Sequence, residues 1–356
     1  MQGSADGTMC SAERDQFREG EWNMELSEKV RNRTILVTGA TGLIGQAAVK
    51  GICRWNRESD TGIKVIAVVR NREKAESLFG DWQETVQLLV EDICDIKPEN
   101  LKVDFIIHGA SQTASRAFIE EPVETIRTAF LGTERLLEFA RANPVRGFVY
   151  LSSMEVYGAP ATDEKISEDY AGCPDPLKIR SCYPESKRMC ENLCACYAAE
   201  YGVPVKIARL AQTFGEGVWY GDKRIFAEIA RCVIEGRDII LNTGGETKRC
   251  YLYTDDAVAA LLTILVKGVV GEAYNVANGS TYCSIYEMAQ MAADRYGNQK
   301  MKVVINAQGD AGRFGYAPTL KMNLDTRKLE ALGWKPRVGL LEMYERMIKD
   351  MCLSKN

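Results

Sequence analysis

Tyr183 and Lys187 stand four residues apart in the run Tyr183-Pro184-Glu185-Ser186-Lys187. On a helix that spacing puts both side chains on one face, one turn apart. A lysine ammonium beside a phenol favours the phenolate and lowers its pKa. Such a tyrosine can exchange a proton with a sugar or alcohol hydroxyl near neutral pH. Ser153, just past the apolar run that ends in Leu151, can hydrogen-bond the same hydroxyl. Glu155, two residues further on, brings a carboxylate to the mouth of such a site, where it could take a proton or hold a substrate. Histidine occurs once, at His108. That excludes multi-histidine metal sites, argues against a Ser-His-Asp triad and leaves acid–base work to Tyr, Lys and Glu.

A second group of residues is built for phosphate. Gly39-Ala40-Thr41-Gly42-Leu43-Ile44-Gly45 follows the apolar strand Thr34-Ile35-Leu36-Val37-Thr38 and opens a helix. The first glycine permits a tight turn, the second lets a pyrophosphate approach the backbone, and the third allows close helix–strand packing. The helix N-terminus then offers N–H donors and positive potential. The expected ligand is a dinucleotide, NAD or NADP. An acidic residue after the second strand binds ribose hydroxyls, whereas arginine suits a 2′-phosphate. Here the sequence reads Val69-Arg70-Asn71-Arg72, which favours NADP. Asp92 and Ile93, after the third strand, are placed to meet the adenine ring.

The elements that must position these groups are readable as alternating apolar runs and helices. Strands are expected at 34–38, 64–69, 86–90, 103–107, 147–151 and 204–209, with helices from the glycine loop to about 54, over 122–142 and over 183–201. This alternation predicts an α/β fold: a Rossmann-type doubly wound parallel sheet with a smaller C-terminal substrate-binding lobe. Residues 1–33 read as an N-terminal extension, 34–212 as the dinucleotide-binding domain, with about 250–278 joining it, and 213–356 mainly as the substrate lobe. The chain has 356 residues, enough for a substantial core. Its net charge of −4 gives no electrostatic case for nucleic acid or an anionic membrane. No apolar run is long enough to span a bilayer, and the N-terminus does not read as a signal peptide. Twelve cysteines are scattered, and the cluster Cys190, Cys194 and Cys196 lacks zinc-site spacing. Reduced, mostly buried thiols and a cytoplasmic location are the expectation, with no metal.

Taken together, several segments resemble one family. They are Thr38-Gly39-Ala40-Thr41-Gly42-Leu43-Ile44-Gly45, Ile107-His108-Gly109-Ala110-Ser111, Leu151-Ser152-Ser153-Met154-Glu155-Val156-Tyr157-Gly158, the Tyr183/Lys187 pair, and Arg249-Cys250-Tyr251-Leu252-Tyr253-Thr254-Asp255-Asp256. The chain looks like an extended short-chain dehydrogenase/reductase of the nucleotide-sugar epimerase/dehydratase family, from about Thr34 to Ile348. The resemblance implies Ser153 as the catalytic hydroxyl and Tyr183 as base, with Lys187 also holding the nicotinamide ribose. It implies cofactor contacts at Gly109, Ala110 and Ser111, a C-terminal lobe gripping a nucleoside diphosphate sugar, and a homodimer packed through the helices near 122–142 and 183–201.

Within that family the stretch from Asp175 to Arg188 is similar to UDP-glucuronate decarboxylases, as is Lys248-Arg249-Cys250-Tyr251, whose arginine would bind substrate. Glu155 stands where 4,6-dehydratases and decarboxylases both carry glutamate. The residue before it is Asp in many dehydratases and Ser in others and in decarboxylases. Met154 here cannot donate a proton, and loss of hydroxide needs an acid. Ala129 and Gln212 stand where the family often has asparagine; Gln212 can still donate to a substrate oxygen. Oxidation at carbon 4 of the sugar is shared by epimerisation, decarboxylation and dehydration. The first two are favoured. An NADPH-dependent carbonyl reductase and a non-catalytic dinucleotide sensor are the alternatives.

Overall fold

Every apolar run singled out above forms a strand of one sheet. The computed structural model describes residues 21–97, 101–297, 300–306 and 319–354. Its main sheet comprises Thr34–Thr38 (β1), Lys64–Val69 (β2), Val86–Val90 (β3), Phe105–His108 (β4), Gly147–Ser153 (β5), Val205–Leu210 (β6) and Ala273–Val276 (β7). The spatial order is β7-β6-β5-β4-β1-β2-β3, with every pairing parallel. Chain direction across the sheet reverses between β1 and β4. At such a switch point the loops diverge and leave a crevice beyond the carboxyl ends of the strands.

Both faces of the sheet are covered, as parallel sheets require. Alternate residues of β1 go to opposite cores: Ile35 and Val37 to one, Leu36 to the other. The first core packs under Leu43–Ser59 (α2) and Thr254–Lys267, and the second under Pro122–Ala142 (α3) and Cys182–Tyr201 (α4). The Tyr183-to-Tyr201 helix thus stands as expected. It ends at Gly202, whose φ of 68° closes the helix in the left-handed region. The expected extension is in part a core element. The helix Glu21–Val30 (α1) buries Leu26 and Val30 in the first core, and residues 1–20 lie outside the described chain.

The remaining elements form a separate group of short strands and helices. Lys248–Tyr253 is its centre, flanked by Asn278–Ser284 antiparallel and by Lys321–Leu324 and Gln212–Phe214 parallel. A third core joins these strands to Ile225–Glu235 (α5), Ile285–Tyr296 and Leu340–Ser354 through Phe214, Phe226, Tyr251, Met288 and Tyr344. The chain returns from this group to the main sheet at β7, so the two parts are interleaved.

Candidate active site

A cleft of about 560 Å³ opens at the carboxyl ends of β1, β4 and β5. One wall is the glycine loop. Gly39 has φ +66°, and a Cβ there would come within 2.8 Å of the Gly109 carbonyl group. Only glycine lets β1 and β4 approach so closely. At Gly45 a Cβ would lie 2.1 Å from the Gly39 carbonyl oxygen, so helix and turn also touch through a glycine. At Gly42 the only close neighbour is the Gly39 oxygen at 3.2 Å. That glycine faces space rather than packing. Helix α2 starts at Leu43 with no side-chain cap and no acidic residue in its first turn. Its N–H groups and positive end are therefore left for an anion. These features fit a pyrophosphate: two glycines hold the loop in shape and the third clears room.

The loop is clamped by a buried hydrogen-bond chain. Thr38 Oγ1 accepts from the backbone N–H of Gly109 and of Ala110, both at 3.2 Å, and sits 2.7 Å from His108 Nδ1. His108 Nε2 lies 3.1 Å from Thr133 Oγ1, which itself donates to the Ala129 carbonyl at 2.7 Å. Thr133 has spent its proton, so it must accept from His108 Nε2–H, and His108 Nδ1 then accepts from Thr38. Burial pushes the His108 pKa down to about 3, with the Lys187 charge adding to it. The only histidine in the chain is thus a neutral structural pin. It fixes the backbone opposite the glycine loop.

All the expected catalytic and cofactor residues but Arg72 line this cleft, as does Gln212 of the two further expected substrate residues. Gly39, Thr41, Gly42, Leu43, Ile44 and Gly45 form one wall, and Gly109, Ala110 and Ser111 the facing loop. Arg70, Asp92 and Ile93 stand at one end; Ser153, Glu155, Tyr183, Lys187 and Gln212 stand at the other. Arg70 is largely exposed, its Nη1 4.0 Å from Asp92 Oδ2. Arg72 is not part of the lining and pairs with Glu76 along its own helix. Arg249, the other of the two, stands outside the lining. It lies on the central strand of the second group, opposite Cys283 and Met322. Its Nε is buried without a hydrogen-bond partner among the described residues.

At the catalytic end, Ser153 caps a short 3-10 turn, Met154–Tyr157, and accepts from the Glu155 N–H at 3.2 Å. Its hydroxyl also acts on the Tyr183 phenol, in the direction that favours the phenolate. Lys187 is buried and donates to the Leu151 carbonyl at 2.7 Å, and burial lowers its pKa to about 8. Its Nζ lies 5.9 Å from the Tyr183 ring centroid. The expectation that Lys187 depresses the phenol pKa is not what the cleft shows. Burial pushes the Tyr183 phenol up, and the Glu155 charge adds to this; the Ser153 hydroxyl and the charges of Arg180 and Arg224 oppose it. Lys187 is held on a backbone carbonyl instead.

Three neighbours carried no signal in their spacing. Phe118 stacks on Tyr183 with ring centroids 4.4 Å apart and planes 12° apart. Arg180 forks onto Glu155, Nη1 to Oε2 at 2.7 Å and Nη2 to Oε1 at 3.2 Å. Arg224, also in the cleft lining, is braced by Asp222 through Nε at 3.1 Å and Nη2 at 2.6 Å. Met154 is buried in an apolar cluster, so Glu155 and Tyr183 are the groups there able to move a proton. Among the described residues no cluster of three or more His, Cys, Asp or Glu is placed to hold a metal, and no helix is long and apolar enough to cross a membrane.

Known proteins share both this sequence pattern and this fold. UDP-glucuronic acid decarboxylase 1 of Xenopus tropicalis is 29% identical over 330 residues, covering 91% of this chain and 73% of that protein. A UDP-glucose 4-epimerase from Thermotoga maritima, solved with UDP-glucose, superposes with a TM-score of 0.76 at 23% identity over 91% of this chain and 100% of its own. A UDP-glucuronic acid 4-epimerase from Bacillus cereus, solved with UDP-glucuronic acid and NAD, gives 0.75 at 21% identity, over 90% and 99%. The family model for the NAD dependent epimerase/dehydratase family matches residues 35–277. The chain belongs to that NAD-dependent family and is an enzyme of the extended short-chain dehydrogenase/reductase type.

Proposed function

We propose that the protein decarboxylates a UDP-hexuronate, using a dinucleotide that it retains. One observation carries this reading: Glu155, forked to Arg180, stands beside Ser153 and Tyr183 while Met154 fills the neighbouring position with an apolar side chain. Dehydration needs an acid to release hydroxide, and none stands there. The decarboxylase named among the relatives supports the same outcome. When bound, the nicotinamide supplies a hydride acceptor for carbon 4 of the sugar and returns the hydride at the end. Tyr183 takes the carbon 4 hydroxyl proton, and Ser153 orients that hydroxyl. Lys187, held on the Leu151 carbonyl, would hold the nicotinamide ribose. A 4-ketone makes the sugar carboxylate a β-keto acid. Its carbon–carbon bond then breaks with the electrons passing to the ketone oxygen, and a proton is added at carbon 5. Glu155 orients the sugar or the water that delivers this proton.

The other assignments follow from place. Gln212, in the cleft, and Arg249, with its orphaned buried N–H, serve the substrate diphosphate or carboxylate. Residues 34–212 with about 250–278 carry the dinucleotide, and 213–356 mainly the substrate. Arg70 supports a preference for NADP over NAD. Exposed Val123 and Ile126 on α3 and Met189 on α4 support a homodimer through those helices. Every cysteine among the described residues is free, which suits the cytoplasm.

A second reading, 4-epimerisation, has its own support: both Glu155 oxygens are occupied by Arg180, as for a group that only positions substrate. Glu155→Gln separates the two. A chemical role predicts that added UDP-glucuronate still reduces the bound nicotinamide while the 4-keto species accumulates. Rapid, complete product formation by this variant removes Glu155 from the mechanism and favours the epimerase.

A further inference from the structure

Arg180 stands in the short turn Ile179–Ser181, directly before the helix that carries Tyr183. Its fork takes both oxygens of Glu155, at 2.7 and 3.2 Å. Its guanidinium carbon lies 5.6 Å from the centroid of Phe118, which stacks on the Tyr183 ring. Both members of the ion pair are mostly buried, with side-chain exposures of 19% and 24%. Glu155, Arg180 and Tyr183 therefore form one cluster, poorly screened by water.

That cluster contains a conflict. A carboxylate next to a phenol that must become phenolate repels the charge the phenol acquires. Left alone, Glu155 would hold Tyr183 protonated. The geometry points to Arg180 as a positioning residue that aims Glu155 through both oxygens and cancels its charge beside Tyr183, so that carboxylate and base work in one site. The charges acting on Tyr183 fit. Glu155 raises the phenol pKa and Arg180 lowers it, with help from the Ser153 hydroxyl and from Arg224 before α5. Lys187 faces the same ring from α4, and Tyr150 of β5 lies under Lys187. The two parts of the role are separable, because lysine keeps the charge and loses the fork.

This inference rests on the reading of Tyr183 as base, and its test reads the phenol directly. Tyrosines are replaced by fluorotyrosine, and the Tyr183 fluorine resonance is assigned by its loss in Tyr183→Phe and titrated with NAD bound. Arg180→Met is expected to raise the Tyr183 midpoint by about one pH unit, a roughly tenfold loss of phenolate at fixed pH. Adding Glu155→Gln to Arg180→Met is expected to return the midpoint close to wild type. Arg180→Lys, the milder change should Arg180→Met fold poorly, is expected to leave the midpoint near wild type while slowing the steps after carbon 4 oxidation. A midpoint unmoved in Arg180→Met, or raised equally in the double variant, overturns the assignment. So does a midpoint raised in Arg180→Lys as far as in Arg180→Met. In parallel, UDP-glucuronate is added to the wild-type enzyme and nicotinamide absorbance is followed. If the cofactor stays oxidised while the fluorine cycle closes, the substrate reading fails and the role of Arg180 stands.

Discussion

Two glycines of one loop should fail in opposite ways when given a side chain. At Gly39, alanine must adopt φ near +66° and place its Cβ 2.8 Å from the Gly109 carbonyl carbon and oxygen. The backbone conformation costs about 1–2 kcal/mol. The overlap with a strand end that cannot swing away costs about 1–3 kcal/mol more. Melting entropy near 2.1 cal/mol/K per residue gives roughly 0.7 kcal/mol/K for this chain, so Tm should fall by about 3–7 °C. At Gly42 the backbone is extended, with φ −79° and ψ 168°, which valine adopts readily. A Cβ there meets only the Gly39 oxygen, at 3.2 Å. Gly42→Val should cost under about 1 kcal/mol and move Tm by no more than about 2 °C. Yet it fills the space a pyrophosphate needs, and dinucleotide affinity should fall about 100-fold or more, about 2.7 kcal/mol. Thermal melts of the stripped proteins and calorimetric titration with NAD and NADP read both effects. A folded Gly42→Val protein with unchanged affinity would show that the loop is only a turn, and the reasoning would fail.

Further outcomes follow from the same site. Tyr183→Phe should lose turnover by about 100-fold or more while dinucleotide affinity stays near wild type, which paired rate and binding measurements check; full activity ends the assignment. Wild-type protein should bind NADP more tightly than NAD, and Arg70→Asp with Arg72→Ala should lose that preference. A clear NAD preference in wild type would make both arginines ordinary surface residues. His108 should shape acid stability. Its folded pKa, about 3, lies below the ordinary value of 6.5, so between these the unfolded chain binds the extra proton. Stability therefore falls as pH drops through that window, by up to about 1.4 kcal/mol per pH unit from this residue. Denaturant melts of His108→Gln should show a shallower loss over the same range; an identical slope contradicts the buried neutral assignment.

The Rossmann half was legible because its strands are continuous apolar runs buried on both faces. β1 through β6 fall within a residue or two of the expected limits. The second group was not, for a physical reason. Its strands Gln212–Phe214, Ile239–Leu241 and Val303–Ile305 are three residues long, too short for periodicity. Their partners also lie far off in sequence: Gln212 pairs with Tyr251, and Val303 with Ile239. The lining of the cleft was legible where one segment supplies several groups, as in the glycine loop and the Tyr183/Lys187 turn. Charge balance was missed where it depends on side chains meeting across segments. Arg180 was visible only as part of a similar stretch, and nothing in its spacing tied it to Glu155. The pKa expectation for Tyr183 failed for the same reason. Helical spacing places Lys187 near the phenol but does not reveal that the Leu151 carbonyl holds its ammonium. Arg249, which the resemblance assigned to the substrate, stands on a strand outside the lining of the cleft.

The account stands most directly on what the purified enzyme does to UDP-glucuronate with no dinucleotide added. Mass spectrometry of the products, with release and identification of the retained cofactor, decides it. The account predicts a UDP-pentose lighter than substrate by one carbon dioxide, formed over many turnovers while the cofactor returns to its oxidised state. Unchanged UDP-glucuronate, or a product formed only in proportion to added NADPH, would contradict it.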